Sequence, residues 1–134
     1  MEMSITRTEL WKNPTFSVER IEGQAPRTMI FHIKGPFNAR DMYGSMKQVA
    51  LGNIFDLKPA PGALPPLMHI FDLTECPQMD SSGLGLIVSH FISCRGKGVR
   101  VVVAGASPNV LQLFKFTKVD SLLPWAATVN EALS

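Results

Sequence analysis

The chain has 134 residues, of which only two are cysteine and one is tyrosine, and no apolar run approaches the about eighteen residues of a membrane-crossing helix. Cys76 and Cys94 have no second cysteine pair beside them, so neither a disulfide framework nor a cysteine-based metal motif is expected. The N-terminus lacks the apolar core of a signal peptide, and the expected compartment is a reducing cytoplasm. Neither sign of charge is in excess: 13 Lys and Arg face 11 Asp and Glu, for a net +2. These charges are scattered and do not form a basic stripe with interleaved aromatics, so neither nucleic acid nor insertion into a membrane is implied. Internal repeats and low-complexity tracts are absent as well.

What is present suits a globular chain with a real core: 46% of residues are apolar and 18% charged. The expected organisation is an N-terminal arm over residues 1–14 and a single domain over 15–134, with a proline-rich loop at 52–66 inside it. Phe16 to Ile21 alternates at the period of a half-buried strand, and Met29 to Ile33 follows after the turn residues Gly23 to Pro26. Together they predict an antiparallel hairpin. Asn38 is placed to cap a helix over 39–51 with Met42, Met46, Val49 and Ala50 on one stripe. Met42 and Met46 read as core filler, or Met42 and Tyr43 as part of a docking face.

A second apolar run, Met68 to Leu73, leads to Asp80-Ser81-Ser82-Gly83-Leu84-Gly85 and then a long apolar segment through Ile92. This reads as a strand entering a helix with two hydroxyls at the junction. Gly96-Lys97-Gly98 ends that helix before a strand from Val99 to Ala104, rich in β-branched residues and read as a buried parallel strand. Ser107-Pro108 offers a cap followed by proline at the first helical position. Residues 120–124 are too short for more than an edge strand or an extended connection, and Thr128 with Glu131 has the spacing of a capping box before a short terminal helix. The fold class is α/β with a mixed sheet of about four to five strands and about four helices, packed mainly on one face.

The first turn of a helix leaves backbone N–H groups unpaired and carries the positive end of the macrodipole, so a phosphate on a serine there is locally favoured. The competing structural explanation is a plain N-cap at Asp80, with Gly83 and Gly85 allowing close helix–sheet packing. Other chemistry fits less well. A nucleophile elbow needs Gly-x-Ser-x-Gly, and His32, His69 and His90 read as packed or surface imidazoles. Asp72 and Asp80 are explained by strand-end solvation and helix capping. Gly83-Leu84-Gly85 is only a fragment of a nucleotide fingerprint. Cys76 and Cys94 read as small, inert hydrophobes. No catalytic set, cofactor or metal site is expected.

In order, Asp72-Leu73, Met79 to Gly85, Gly96-Lys97-Gly98, Ala106 to Val110, Phe116-Thr117, Val119-Asp120, Leu122 to Pro124 and Glu131 to Leu133 resemble the STAS family. That family is shared by anti-sigma factor antagonists, stressosome proteins and the tails of sulfate-type transporters. The resemblance runs from about Phe16 to Leu133 and is strongest from Asp72 onward. It implies a STAS-like fold and a non-catalytic regulator. Ser81 is then the residue phosphorylated by a partner serine kinase that doubles as the anti-sigma factor, with Ser82 the alternative acceptor. A phosphatase reverses the modification, and Asp80 to Gly85 contact the partner. The alternative is a stressosome-type scaffold that assembles with itself or other STAS proteins, unmodified or binding a small ligand. Four features depart from the family pattern: Asn38 stands where an aspartate is usual, Gln78 where an apolar residue is usual, Lys118 where a glycine is common, and the 52–66 loop is long.

Overall fold

The computed structural model describes residues 4–43, 55 and 64–134. Its six-stranded sheet runs β1 (Thr6–Lys12), β2 (Ser17–Glu22), β3 (Thr28–Lys34), β4 (Met68–Glu75), β5 (Arg100–Ala104) and β6 (Trp125–Ala126), in spatial order of sequence. The first three strands are antiparallel neighbours, and β3 to β6 run parallel. Among the described residues the α-helices are α1 (Ala39–Tyr43), α2 (Ser81–Gly96), α3 (Pro108–Phe116) and α4 (Val129–Leu133).

Period-2 alternation sorts the strand residues onto two faces. Met29, Phe31 and Ile33 of β3, Phe71 and Leu73 of β4, and Val101 and Val103 of β5 join one buried cluster. Met42 from α1, Leu84, Ile87 and Cys94 from α2, and Val110 and Phe114 from α3 pack into it. The intervening residues Ile30, Ile70, Val102 and Ala104 point the other way, where Ile21 joins them and Val129, Ala132 and Leu133 of α4 cover them. Register keeps each face consistent, with Ile30 beside Ile70 and Phe31 beside Phe71. One-face packing of the helices therefore holds for α1 to α3, and α4 is the exception.

Two expectations change. Part of the supposed arm is a strand: Thr6–Lys12 pairs along β2, with a register shift between Glu9 and Trp11. Its signal was weak because an exposed edge strand needs little apolar surface, and only Thr8, Leu10 and Trp11 are even half-buried. Residues 120–124 form a 3-10 turn at Asp120–Leu122, and the edge strand lies just beyond, at Trp125–Ala126. Both raise the strand count to six. The helix expected over 39–51 is seen through Tyr43; Met46, Val49, Ala50 and most of the 52–66 loop lie outside the described residues.

Helices α2 and α3 end in the same way. After α2, Gly98 N–H donates to Arg95 O and Val99 N–H to Cys94 O, with Gly98 at φ +74°. After α3, Lys118 N–H donates to Lys115 O and Val119 N–H to Phe114 O, with Lys118 at φ +62°. These are paired Schellman closures, and they require a left-handed residue that glycine adopts without a Cβ clash. The departure from glycine at position 118 therefore stores strain. Lys118→Gly should raise unfolding stability by about 0.5–1 kcal/mol, whereas Gly98→Ala should lower it by a similar amount. Urea unfolding of both variants checks this, and the same sign for both would contradict it.

Candidate functional site

The segment from β3 to α1 and the segment from β4 to α2 leave the sheet at the carboxyl ends of adjacent parallel strands. They pair through a single parallel bridge, Phe37 with Met79. Phe37 N–H donates to Gln78 O, and Asp80 N–H donates back to Phe37 O. Buried Phe37 also stacks on Phe16, with ring centroids 5.4 Å apart. Two helix starts are thus held side by side.

Asp80 joins them. Its extended backbone makes it the N-cap of α2, and its Oδ1 accepts from Ser82 N–H at 2.8 Å and Gly83 N–H at 3.3 Å. Its Oδ2 accepts from Ala39 N–H, the first residue of α1, at 3.0 Å. One carboxylate therefore satisfies orphan amides of two helices, with both macrodipoles favouring its charge. Asn38 caps α1 from its own side, its Oδ1 accepting Asp41 N–H at 2.7 Å.

Ser81 is the first residue of α2 and is exposed; among the described residues nothing hydrogen-bonds its hydroxyl. Ser82 is half-buried, and Leu84 is buried in the core with its N–H closing the first helical bond onto Asp80 O. The two glycines separate. A Cβ on Gly83 would lie 2.3 Å from Phe37 O and 2.9 Å from the Phe37 ring, whereas a Cβ on Gly85 would meet nothing within 4 Å. The absence of a Cβ at Gly83 is therefore required by internal packing against Phe37. Met42 is fully buried, which removes it from any docking face and confirms it as core.

Other titratable side chains make contacts of their own. His32 Nδ1 is 2.9 Å from Asp72 Oδ2, and its Nε2 is 2.6 Å from Glu75 Oε2. The bond to Asp72 raises the imidazole's pKa, burial opposes this, and Glu75 adds to the rise. Burial pushes the Asp72 carboxyl up, but hydrogen bonds from His32 and Thr74 outweigh it and leave the pKa below the usual value. Asp72 and Asp80 are thus separately engaged and do not form an acid pair. Burial raises the Cys76 thiol to about 11, despite hydrogen bonds with the Phe37 and Gln78 backbone, which keeps it protonated and inert. His69, His90 and Cys94 meet in one cluster, with ligand atoms all within 4.8 Å of one another. Sequence reasoning paired cysteine only with cysteine and missed it. The visible signal was the four-residue spacing from His90 to Cys94, which puts both on one helix face.

No described helix is long and apolar enough to cross a membrane. Replacement by alanine should separate the two junction glycines by sign. Gly83→Ala should destabilise by about 1–3 kcal/mol through overpacking on Phe37, while Gly85→Ala should stabilise by about 0.5–1 kcal/mol through helix propensity. Thermal unfolding of the two proteins decides it; equal effects would mean the tight contact at Gly83 is absent.

Comparison with known proteins places these features in a family. Over a 52-residue stretch the chain is 38% identical to the anti-sigma-B factor antagonist of Listeria monocytogenes, covering 39% of this chain and 46% of that protein. The match thus spans less than half of that relative's length. The fold is similar to a sulfate transporter family protein from Wolinella succinogenes, with TM-score 0.64 and 19% identity over 81% of this chain and 83% of that one. It is also similar to the Bacillus cell fate determinant SpoIIAA in its phosphorylated form, with TM-score 0.56 and 21% identity over 88% and 96% of the two chains. The family model for the STAS domain matches residues 20–132, from the end of β2 into α4, and the chain belongs to the STAS domain family.

Proposed function

We propose that this protein is a non-catalytic cytoplasmic regulator of the anti-sigma factor antagonist kind. In this reading a partner serine kinase phosphorylates Ser81, and the phosphate decides whether the partner can dock on Asp80 to Gly85. The observation that carries the reading is the exposed Ser81 hydroxyl at the first position of α2, beside an Asp80 whose oxygens are already committed to Ser82, Gly83 and Ala39. The names of the relatives agree with it: one is an anti-sigma-B factor antagonist, and another was solved phosphorylated.

The electrostatics favour a switch that leaves the fold intact. A phosphate adds about −1.5 to −2 charge. The positive end of α2 favours it by about 0.3–1 kcal/mol at the surface, and the adjacent Asp80 charge opposes it. Because Asp80 already occupies the Ser82 and Gly83 amides of α2, the dianion gains few new bonds within the domain and stays directed outward. At a docked interface it must be desolvated or must face like charge, and truncations in such settings cost about 2–5 kcal/mol. The penalty falls on association.

Incubation with ATP and extract of the native cells, followed by peptide mass mapping, should place a single phosphate on Ser81 that Ser81→Ala lacks. Ser81→Asp should weaken capture of the kinase by about 10-fold or more while its stability stays within about 0.5 kcal/mol, as for other surface changes. A phosphate that maps to Ser82, or partner binding indifferent to Ser81→Asp, would count against the assignment.

A further inference from the structure

The cluster at the far end of α2 has a chemistry that the phosphoswitch does not use. His69 is the second residue of β4, and His90 and Cys94 lie one turn apart on α2, facing the sheet. His69 Nδ1 is 2.8 Å from His90 Nε2, and Cys94 Sγ is 3.3 Å from His90 Nε2 and 3.6 Å from His69 Nδ1. The imidazole planes are within 11° of parallel, with centroids 5.0 Å apart.

We propose that His69, His90 and Cys94 form a binding site for a soft divalent cation of the zinc class, held through Nδ1, Nε2 and Sγ respectively. Metal–nitrogen and metal–sulfur bonds of about 2.05 and 2.3 Å in a tetrahedron imply N···N near 3.3 Å and N···S near 3.5–3.6 Å. The two N···S distances bracket that value, and the nitrogens need to part by only about 0.5 Å. Two imidazoles and a thiolate are the donor set that selects zinc over magnesium or calcium.

Three further observations support the site. At 2.8 Å only one proton fits between the facing nitrogens, so at least one of the two presents its lone pair toward the cluster that the sulfur joins. His69 and Cys94 are 6% and 3% exposed and His90 is half-buried, so the three donors are largely withdrawn from bulk water. Phe31, Phe55 and Phe71 pack around His90 at 5.6–5.8 Å and form an apolar wall that strengthens bonds to a cation. Cys94 belongs to the last turn of α2, about 20 Å along the helix from Ser81. A bound ion would therefore brace that turn against β4, and the inference stands independently of the phosphorylation reading.

The test uses the full, tag-free chain stripped with a chelator and titrated with Co(II) as a spectroscopic stand-in for Zn(II). The expected result is one cobalt per chain with a thiolate-to-cobalt charge-transfer band, displaced by one equivalent of zinc, and a melting temperature that rises with free zinc. Cys94→Ser and His90→Gln, each checked for folding by circular dichroism, should weaken zinc by more than the roughly 10–100-fold lost with an outer-shell partner. Cys76→Ser should leave the charge-transfer band in place. Absence of that band in the unmutated chain would overturn the site, as would zinc affinity unchanged in a folded Cys94→Ser protein.

Discussion

A single carboxylate, that of Asp80, bonds to three backbone amides drawn from two helix starts, and the rest of the site depends on it. Each such bond to a charged acceptor is worth about 1.5–3 kcal/mol, though bonds to one group do not simply add. The constraint extends further than α2. Asp80 holds the start of α1; α1 in turn accepts Asn13 Nδ2 at the Asp41 carbonyl and Thr15 Oγ1 at the Asp41 carboxylate. Asn13 organises the β1–β2 turn by accepting the N–H groups of Thr15 and Phe16. A chain of polar contacts thus runs from the first hairpin to the junction, around the buried stack of Phe16 on Phe37.

This arrangement separates what is fixed from what is displayed. Asp80 and Gly83 are committed to internal contacts, Leu84 to the core, and Ser81 and Gly85 face outward. A modification at Ser81 therefore changes surface charge beside a helix start whose Ser82 and Gly83 amides are already capped. The opposite end of α2 has the reverse character: Cys94 is buried and enclosed with His69 beneath aromatic rings. One helix carries an exposed hydroxyl at its start and a buried donor cluster at its end.

Local signals were legible in the sequence because they act over a few residues. Ser107 accepts Val110 N–H ahead of Pro108, and Thr128 accepts Glu131 N–H, as their spacing indicated. The β-branched strand at Val101 to Val103 and the hairpin of β2 and β3 followed from periodicity. Asp80 was recognisable as a cap of α2, but its bond to Ala39 was not, since it joins residues 41 apart. The same limit hid the approach of His69 to His90 and Cys94. Edge strand β1 escaped notice because its residues are largely polar and exposed, and the different roles of Gly83 and Gly85 needed the position of Phe37.

In the proposed switch, charge is added at Ser81 without disturbing the caps that Asp80 provides. Amide hydrogen exchange, compared between the unmodified chain and a chain carrying phosphoserine at position 81, tests it most directly. The account predicts unchanged protection at Ala39, Ser82, Gly83 and Leu84. Collapse of protection at Ala39 together with the first turn of α2 would mean that the phosphate displaces Asp80 and acts by unfolding the junction, contradicting the account.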